Sequence, residues 1–291
     1  MNSDKVVVSC AITGVLTDPK KFNVPVTPEQ MAEATAQAYN AGASIVHCHF
    51  RCQEEGLQHF PTWNLTVVEN ILSAIKARVP KILINMSTGV VGDDLSGPLE
   101  CLKKFKPHMA ACNAGSLNYL RTRKDGSWAW PPILFDNPVP KVEQFLTVMN
   151  DNQIVPEMEC FDTGIVRSVS MYKANGMIKG DPHLSFVMGV ASGMPARPDL
   201  LPILIDELPQ NALWQVIATG PASQQWELHR KSIELGGNVR TGLEDTFYLP
   251  NGDRALNNGQ LVDALVSIVK EMGKEVANPE EVRQLMEIKN D

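Results

Sequence analysis

Scaffolds built on disulfides or metal thiolates are beyond the means of this chain. Six cysteines in 291 residues do not make a disulfide framework, and no CxxC pair occurs, so a thiolate zinc site has no support. Four of them, Cys10, Cys48, Cys112 and Cys160, fall inside apolar runs of strand length, where buried reduced thiols are expected. Long uncharged apolar runs are also missing, which excludes a membrane-spanning helix. Met1–Lys5 leads directly into Val6-Val7-Val8 without an extended apolar stretch or cleavage site, so the expectation is a cytoplasmic protein without a signal peptide. Positive charge is in deficit: a net charge of −7 excludes nonspecific binding to nucleic acid, which needs a basic surface to displace counterions. The local exception is Arg121, Arg123 and Lys124. No interdomain linker is visible.

What is present is an ordinary globular composition, 44% hydrophobic and 20% charged, with a regular alternation. Apolar runs at roughly 6–12, 43–49, 81–86, 109–113, 155–160, 184–189, 213–218 and 237–241 are mostly followed by helical patterns. Eight β-then-α units predict an α/β protein, a TIM (β/α)8 barrel forming one catalytic domain over residues 1–291. Thr27-Pro28-Glu29-Gln30 supplies an N-cap, a proline at the first helical position and a capping-box glutamine, and Gly42 ends that helix. Asn278-Pro279-Glu280-Glu281 starts an extra C-terminal helix beyond the eighth unit. The longest irregular stretch, about Leu120 to Pro138, carries Trp128 and Trp130; it follows strand four and is expected to act as a lid or subunit-contact loop.

The chemistry is concentrated in Val46-His47-Cys48-His49-Phe50, which closes the second apolar run. In an extended strand alternate side chains share a face, so His47 and His49 project together from the strand's C-terminal end, as half of a metal site would. The same pair could instead only hydrogen-bond in a polar barrel mouth. Parallel barrels keep their reacting groups at strand C-terminal ends, and here those ends are polar: Asn85-Met86-Ser87-Thr88-Gly89, Asn113-Ala114-Gly115-Ser116-Leu117-Asn118, Glu157 with Glu159, and Arg240-Thr241-Gly242-Leu243-Glu244-Asp245. Glu244 is the natural third zinc ligand, because Gly242 lets the chain leave the strand. Arg240 would then hold a substrate carboxylate, and Asp245 could take a proton from the carbon beside a zinc-polarised ketone. Alternatively, Arg240 pairs internally with Glu159 or Asp245.

Taken in order, Ile12-Thr13-Gly14, Val24-Pro25-Val26-Thr27-Pro28, the HxH segment through Arg51, Ser87-Thr88-Gly89, Glu159-Cys160-Phe161-Asp162-Thr163-Gly164 and Gly236 through Asp245 resemble the β-keto acid cleavage enzyme family over nearly the whole chain. The resemblance implies a zinc-dependent TIM barrel that condenses a β-keto acid with acetyl-CoA to give acetoacetate and a new acyl-CoA. By position it implies His47, His49 and Glu244 as zinc ligands, Arg240 on the substrate carboxylate, Asp245 as base and Glu159 orienting Arg240. Ser87 and Ser116 fall where the family has hydroxyls that contact substrate, with Thr88, Gly89, Asn118 and Val15 as further substrate-binding positions. It also implies a homo-oligomer, dimer or tetramer.

Members that cleave 3-keto-5-aminohexanoate carry a Glu just after the first strand, where this chain reads Gly14-Val15-Leu16-Thr17. A substrate ammonium would have no partner there, so uncharged short-chain keto acids are expected to be preferred. The cluster of Arg121, Arg123 and Lys124 is a candidate for the CoA phosphates. Competing readings are an amidohydrolase-like zinc hydrolase, which would need further histidines at strand ends, a CoA-independent retro-aldol lyase, and a barrel serving only as a binding scaffold.

Overall fold

The computed structural model describes residues 4–90 and 92–289. Residues 1–3, on which the reading of the N-terminus partly rests, lie outside the described residues, as do the last two positions of the 1–291 domain.

Eight parallel strands close into a barrel: β1 (Val8–Ala11), β2 (Ile45–Cys48), β3 (Leu83–Met86), β4 (Met109–Asn113), β5 (Val155–Cys160), β6 (His183–Met188), β7 (Leu213–Ala218) and β8 (Asn238–Thr241). Neighbours pair in chain order and β8 returns to β1, with Arg240 opposite Ser9. These are the eight apolar runs read from the sequence, with every boundary within two residues of the expected one. Such runs carry little alternation because both strand faces are buried, one in the barrel and one under the helices.

The helices are α1 (Pro28–Ala41), α2 (Leu65–Arg78), α3 (Ser96–Phe105), α4 (Val139–Asp151), α5 (Thr163–Asn175), α6 (Leu201–Asp206), α7 (Ala222–Glu234), α8 (Asn258–Glu271) and the extra α9 (Pro279–Leu285). Helix α1 starts on the expected capping box, in which the Thr27 hydroxyl accepts from the Gln30 amide at 3.3 Å and Gln30 Oε1 accepts from the Thr27 amide at 3.1 Å. Gly42 ends it in the left-handed region at φ 117°. Helix α9 repeats the device with Asn278 and Glu281. Val282 and Met286, with Ile288 beyond them, pack against Val7, Ile45, Leu83 and Met109, so the C-terminal segment plugs the N-terminal end of the barrel. That leaves the opposite end, where the strands finish, for the site.

The stretch from Leu120 to Pro138 is more ordered than its composition predicts. Leu117–Tyr119 pairs antiparallel with Ile133–Phe135, and Thr122 bridges Trp128 nearer the tip. Three-residue strands are too short to show a period, which is why the segment reads as irregular. All six cysteines are free thiols, and the four in predicted strands are buried.

Helix α7 carries a titratable residue far from any strand end. His229 is buried with its ring edge toward Trp226, and burial pushes its pKa down to about 4. The unfolded chain therefore takes up this proton first as pH falls, so stability is full above about pH 6.5 and declines toward pH 4. Between pH 7.5 and 5, wild type should lose about 2 kcal/mol more than His229→Gln in urea unfolding. Burial lowers His183 in the same direction, but it is common to both proteins and cancels. Equal losses would show that His229 is not the group responsible.

Candidate active site

The pleat delivers His47 and His49 as the sequence predicts. His47 lies inside β2, beside Ala11 of β1 and Asn85 of β3, and His49 follows just past the strand's end. Their ring centroids are 5.1 Å apart. The third member arrives because β8 ends at a residue that only glycine suits. Gly42's role in α1 is repeated here more severely: Gly242 has φ 143°, and a Cβ on it would sit 2.1 Å from the Ala11 carbonyl oxygen. The turn that follows is fixed by the Glu244 amide donating to Ala11 at 3.2 Å and the Asp245 amide donating to Gly242 at 2.9 Å. Glu244 then reaches His47 Nε2 at 3.7 Å and His49 Nε2 at 3.4 Å. Gly14 packs on Glu244 so closely that a Cβ would lie 2.9 Å from its Cγ.

The loop bearing Gly14 is held by Arg51, which is fully buried. Its guanidinium donates to the carbonyls of Thr13 and Gly14 at 2.9 Å and Thr17 at 2.8 Å. Burial pulls Arg51 down to about 10, still charged at neutral pH.

Among the described residues, His47, His49 and Glu244 form the grouping suited to a metal ion, with ligand atoms all within 4.8 Å of one another. The residues fit such an ion. Two imidazole nitrogens and a carboxylate match a catalytic zinc set, and Glu244 Oε2 is buried without a hydrogen-bond partner. Burial pushes the pKa of His47 well below its ordinary value, keeping it neutral as a ligand must be. Burial would raise Glu244, but His49, Arg240 and His47 outweigh it and hold the carboxyl well below its ordinary range. The other histidines stand apart: His59 lies tilted against Phe60, and His108 Nδ1 accepts from the Ile84 amide at 2.9 Å.

Arg240 is buried beside this triad and is heavily engaged. Its Nε donates to Asp245 Oδ2 at 3.1 Å, and Nη2 donates to Asp245 Oδ1 at 3.0 Å and to Glu244 Oε1 at 2.7 Å. Glu159 Oε1 lies 3.5 Å from Nη1, which has no hydrogen-bond partner. The internal pairing left open by the sequence is therefore present, mainly with Asp245, while Nη1 makes no hydrogen bond and meets only the Glu159 charge. Burial pushes both Asp245 and Glu159 upward, against the pull of Arg240. Below them Glu157, also inside the barrel, accepts from Asn85, from Ser185 and, at 2.8 Å, from Gln215. Sequence reading gave Ser185 and Gln215 no role; their signal is a polar residue in the middle of an otherwise apolar run.

A cleft of about 520 Å³ opens over these groups, with Glu159, Arg240, Glu244 and Asp245 on its inner wall. Its outer wall includes Tyr119, Arg121 and Trp130, and Val187 and Ile217 also line it. Ser87, Thr88, Gly89, Ser116, Asn118 and Val15 are not among the residues lining this cleft, and neither are His47 and His49. Thr88 is committed to the Ala111 carbonyl at 2.6 Å, and the Ser116 hydroxyl accepts from the Asn137 amide at 2.7 Å at the base of the hairpin. Ser87 follows Asn85 on the inward face and is buried beside Gly89. The carbonyl of Asn118 accepts from Ser192. Arg123 is turned back onto the carbonyls of Trp128 and Ala129, so of the three clustered cations only Arg121 faces the cleft.

A closed parallel barrel with a histidine-histidine-glutamate cluster and an arginine-aspartate pair at the mouth defines a (β/α)8-barrel enzyme. The chain belongs to the β-keto acid cleavage enzyme family, whose model matches residues 5–288. It is 32% identical over 290 residues to 3-keto-5-aminohexanoate cleavage enzyme of Fusobacterium nucleatum, covering 98% of this chain and 99% of the relative. It is also 32% identical over 290 residues to 3-oxoadipate:acetyl-CoA acetyltransferase of Cupriavidus necator, covering 96% and 94%. The structure of ObcA with a C4-CoA adduct and oxalate shares the fold, with a TM-score of 0.76 and 19% identity over 91% of this chain and 67% of that one.

Proposed function

We propose that the chain, acting as a single catalytic domain, is a zinc-dependent enzyme that condenses a short β-keto acid with acetyl-CoA. The observation that carries this reading is the convergence of the His47, His49 and Glu244 ligand atoms within 4.8 Å, with the Arg240–Asp245 pair attached to the same glutamate. Family membership and the acetyl-CoA-dependent activity named for the Cupriavidus necator relative support it. A bound zinc would supply Lewis acidity that polarises a substrate carbonyl.

The chain's own residues do the rest. Arg240 presents Nη1, its nitrogen without a hydrogen-bond partner, to the substrate carboxylate, while its other nitrogens fix the Asp245 carboxylate in one orientation. Asp245 takes a proton from C2 of the keto acid. The C2 carbanion forms a bond to the acetyl carbonyl carbon and CoA leaves as thiolate. That thiolate attacks C3, the C2–C3 bond breaks, the departing C2 carbanion takes back the proton held by Asp245, and acetoacetate and the new acyl-CoA are released. Glu159, 3.5 Å from that same Nη1 of Arg240, steadies the guanidinium. Cytoplasmic location and a homo-oligomer, dimer or tetramer, complete the reading. The hairpin's exposed Trp128, Ile133 and Leu134 offer the apolar surface that a subunit contact would use.

The test is acetoacetate release across a panel of β-keto acids, with and without acetyl-CoA. Release that depends on acetyl-CoA, with a new acyl-CoA formed one for one, is expected. Turnover without acetyl-CoA would instead identify a retro-aldol lyase.

A further inference from the structure

The outer half of the cleft has a charge pattern that the bond-making steps do not require. The three carboxylates that line the cleft, Glu159, Glu244 and Asp245, all stand within 3.5 Å of Arg240 on the inner wall. The outer wall has a single charge, Arg121, whose guanidinium forms no ion pair among the described residues. Its backbone is held in place, because the Arg121 carbonyl accepts from the Ala129 amide at 2.8 Å and the adjacent Thr122–Trp128 bridge closes the ladder. Beside it Tyr119 and Trp130 stack with ring centroids 5.7 Å apart, and Trp130 Nε1 donates to the Tyr119 carbonyl at 3.3 Å. The cation therefore sits on a braced hairpin, facing the same cavity as the Arg240 nitrogen without a hydrogen-bond partner.

We propose that Arg121 is a specificity-determining residue that recognises a second negative charge, the distal carboxylate of a dicarboxylic β-keto acid. Two cations lining one cavity, Arg240 buried and Arg121 exposed at its outer part, complement a molecule with an anionic group at each end. The size favours the keto acid over CoA as the source of that anion, since about 520 Å³ suits a small acid and leaves most of a CoA molecule outside. Leu16 is 71% exposed, and it is the charge on the hairpin wall that this proposal makes the determinant of selectivity. A substrate ammonium at the outer wall would meet Arg121 instead of an acid.

This substrate class rests on the β-keto acid reading, and the experiment separates the two. The kcat/KM for 3-oxoadipate and for 3-oxohexanoate, at saturating acetyl-CoA, is compared in wild type, Arg121→Gln and Arg121→Lys. Wild type should prefer the diacid by about tenfold or more. Arg121→Gln should abolish that preference while leaving kcat/KM for the monoacid and KM for acetyl-CoA within about twofold, and Arg121→Lys should retain part of it. No preference in wild type, or the same preference in Arg121→Gln, overturns the proposal. A raised KM for acetyl-CoA with both acids affected equally also overturns it and moves the anion to a CoA phosphate. If neither acid is turned over, the reaction assigned above fails, and calorimetric titration with adipate and hexanoate decides Arg121 on its own. Tighter adipate binding that Arg121→Gln removes supports it, and equal binding sinks it.

Discussion

His49→Ala and Glu244→Gln are each expected to strip most of the bound zinc and to lower acetoacetate formation by roughly 10³-fold or more, the loss of several kcal/mol of Lewis-acid stabilisation. The purified enzyme should carry about one zinc per chain, since the structure offers one three-residue cluster among the described residues. His49 is the cleaner histidine to remove. It is half-buried past the end of β2, whereas His47 is fully buried inside the strand, where truncation also leaves a cavity. Glu244→Gln keeps the shape but gives up the charge that answers His47, His49 and Arg240. Elemental analysis beside circular dichroism reads the result. Folded variants that keep a full complement of zinc would place the metal elsewhere.

Much of this site was legible because the barrel converts sequence periods into geometry. Alternation along β2 puts His47 and His49 on one face, and strand parallelism gathers residues 47, 159 and 240 at one end although they are far apart in the chain. Gly242 signals a break in β8, and the break is what carries Glu244 to the histidines. What sequence could not supply was the partner of each charge. Whether Arg240 grips substrate or pairs internally depends on a turn geometry that brings Asp245 to 3.0 Å, and no spacing rule contains that distance. The hairpin between Leu117 and Phe135 was hidden for a different reason. Its strands are three residues long, so its order comes from the Tyr119–Trp130 stack and the Arg123 bonds to backbone carbonyls instead of from a period. Ser116 and Asn118 sit at the base of that hairpin, where the Ser116 hydroxyl accepts from the Asn137 amide, a contact no strand-end reading contains.

The Arg240–Asp245 pair gives the second large effect, and the structure changes what it should look like. A carboxylate gripped by both edges of a guanidinium is fixed in direction, so Arg240 positions the base as well as facing the substrate. Asp245→Asn is expected to lower kcat by roughly 10²–10⁴ with little change in substrate binding. Arg240→Lys, which from sequence alone would chiefly weaken binding, is now expected to reduce kcat as well. A point charge cannot hold Asp245 through two parallel bonds while reaching Glu244 and the substrate. Truncating a buried ion pair also costs stability, of order 3–5 kcal/mol, so both variants must be assayed below their melting transitions. Deuterium exchange at C2 of the keto acid isolates the proton transfer from later steps once the spontaneous background is subtracted. Folded Asp245→Asn protein with wild-type zinc content should exchange no faster than that background, and exchange at the wild-type rate would exclude Asp245 as the base.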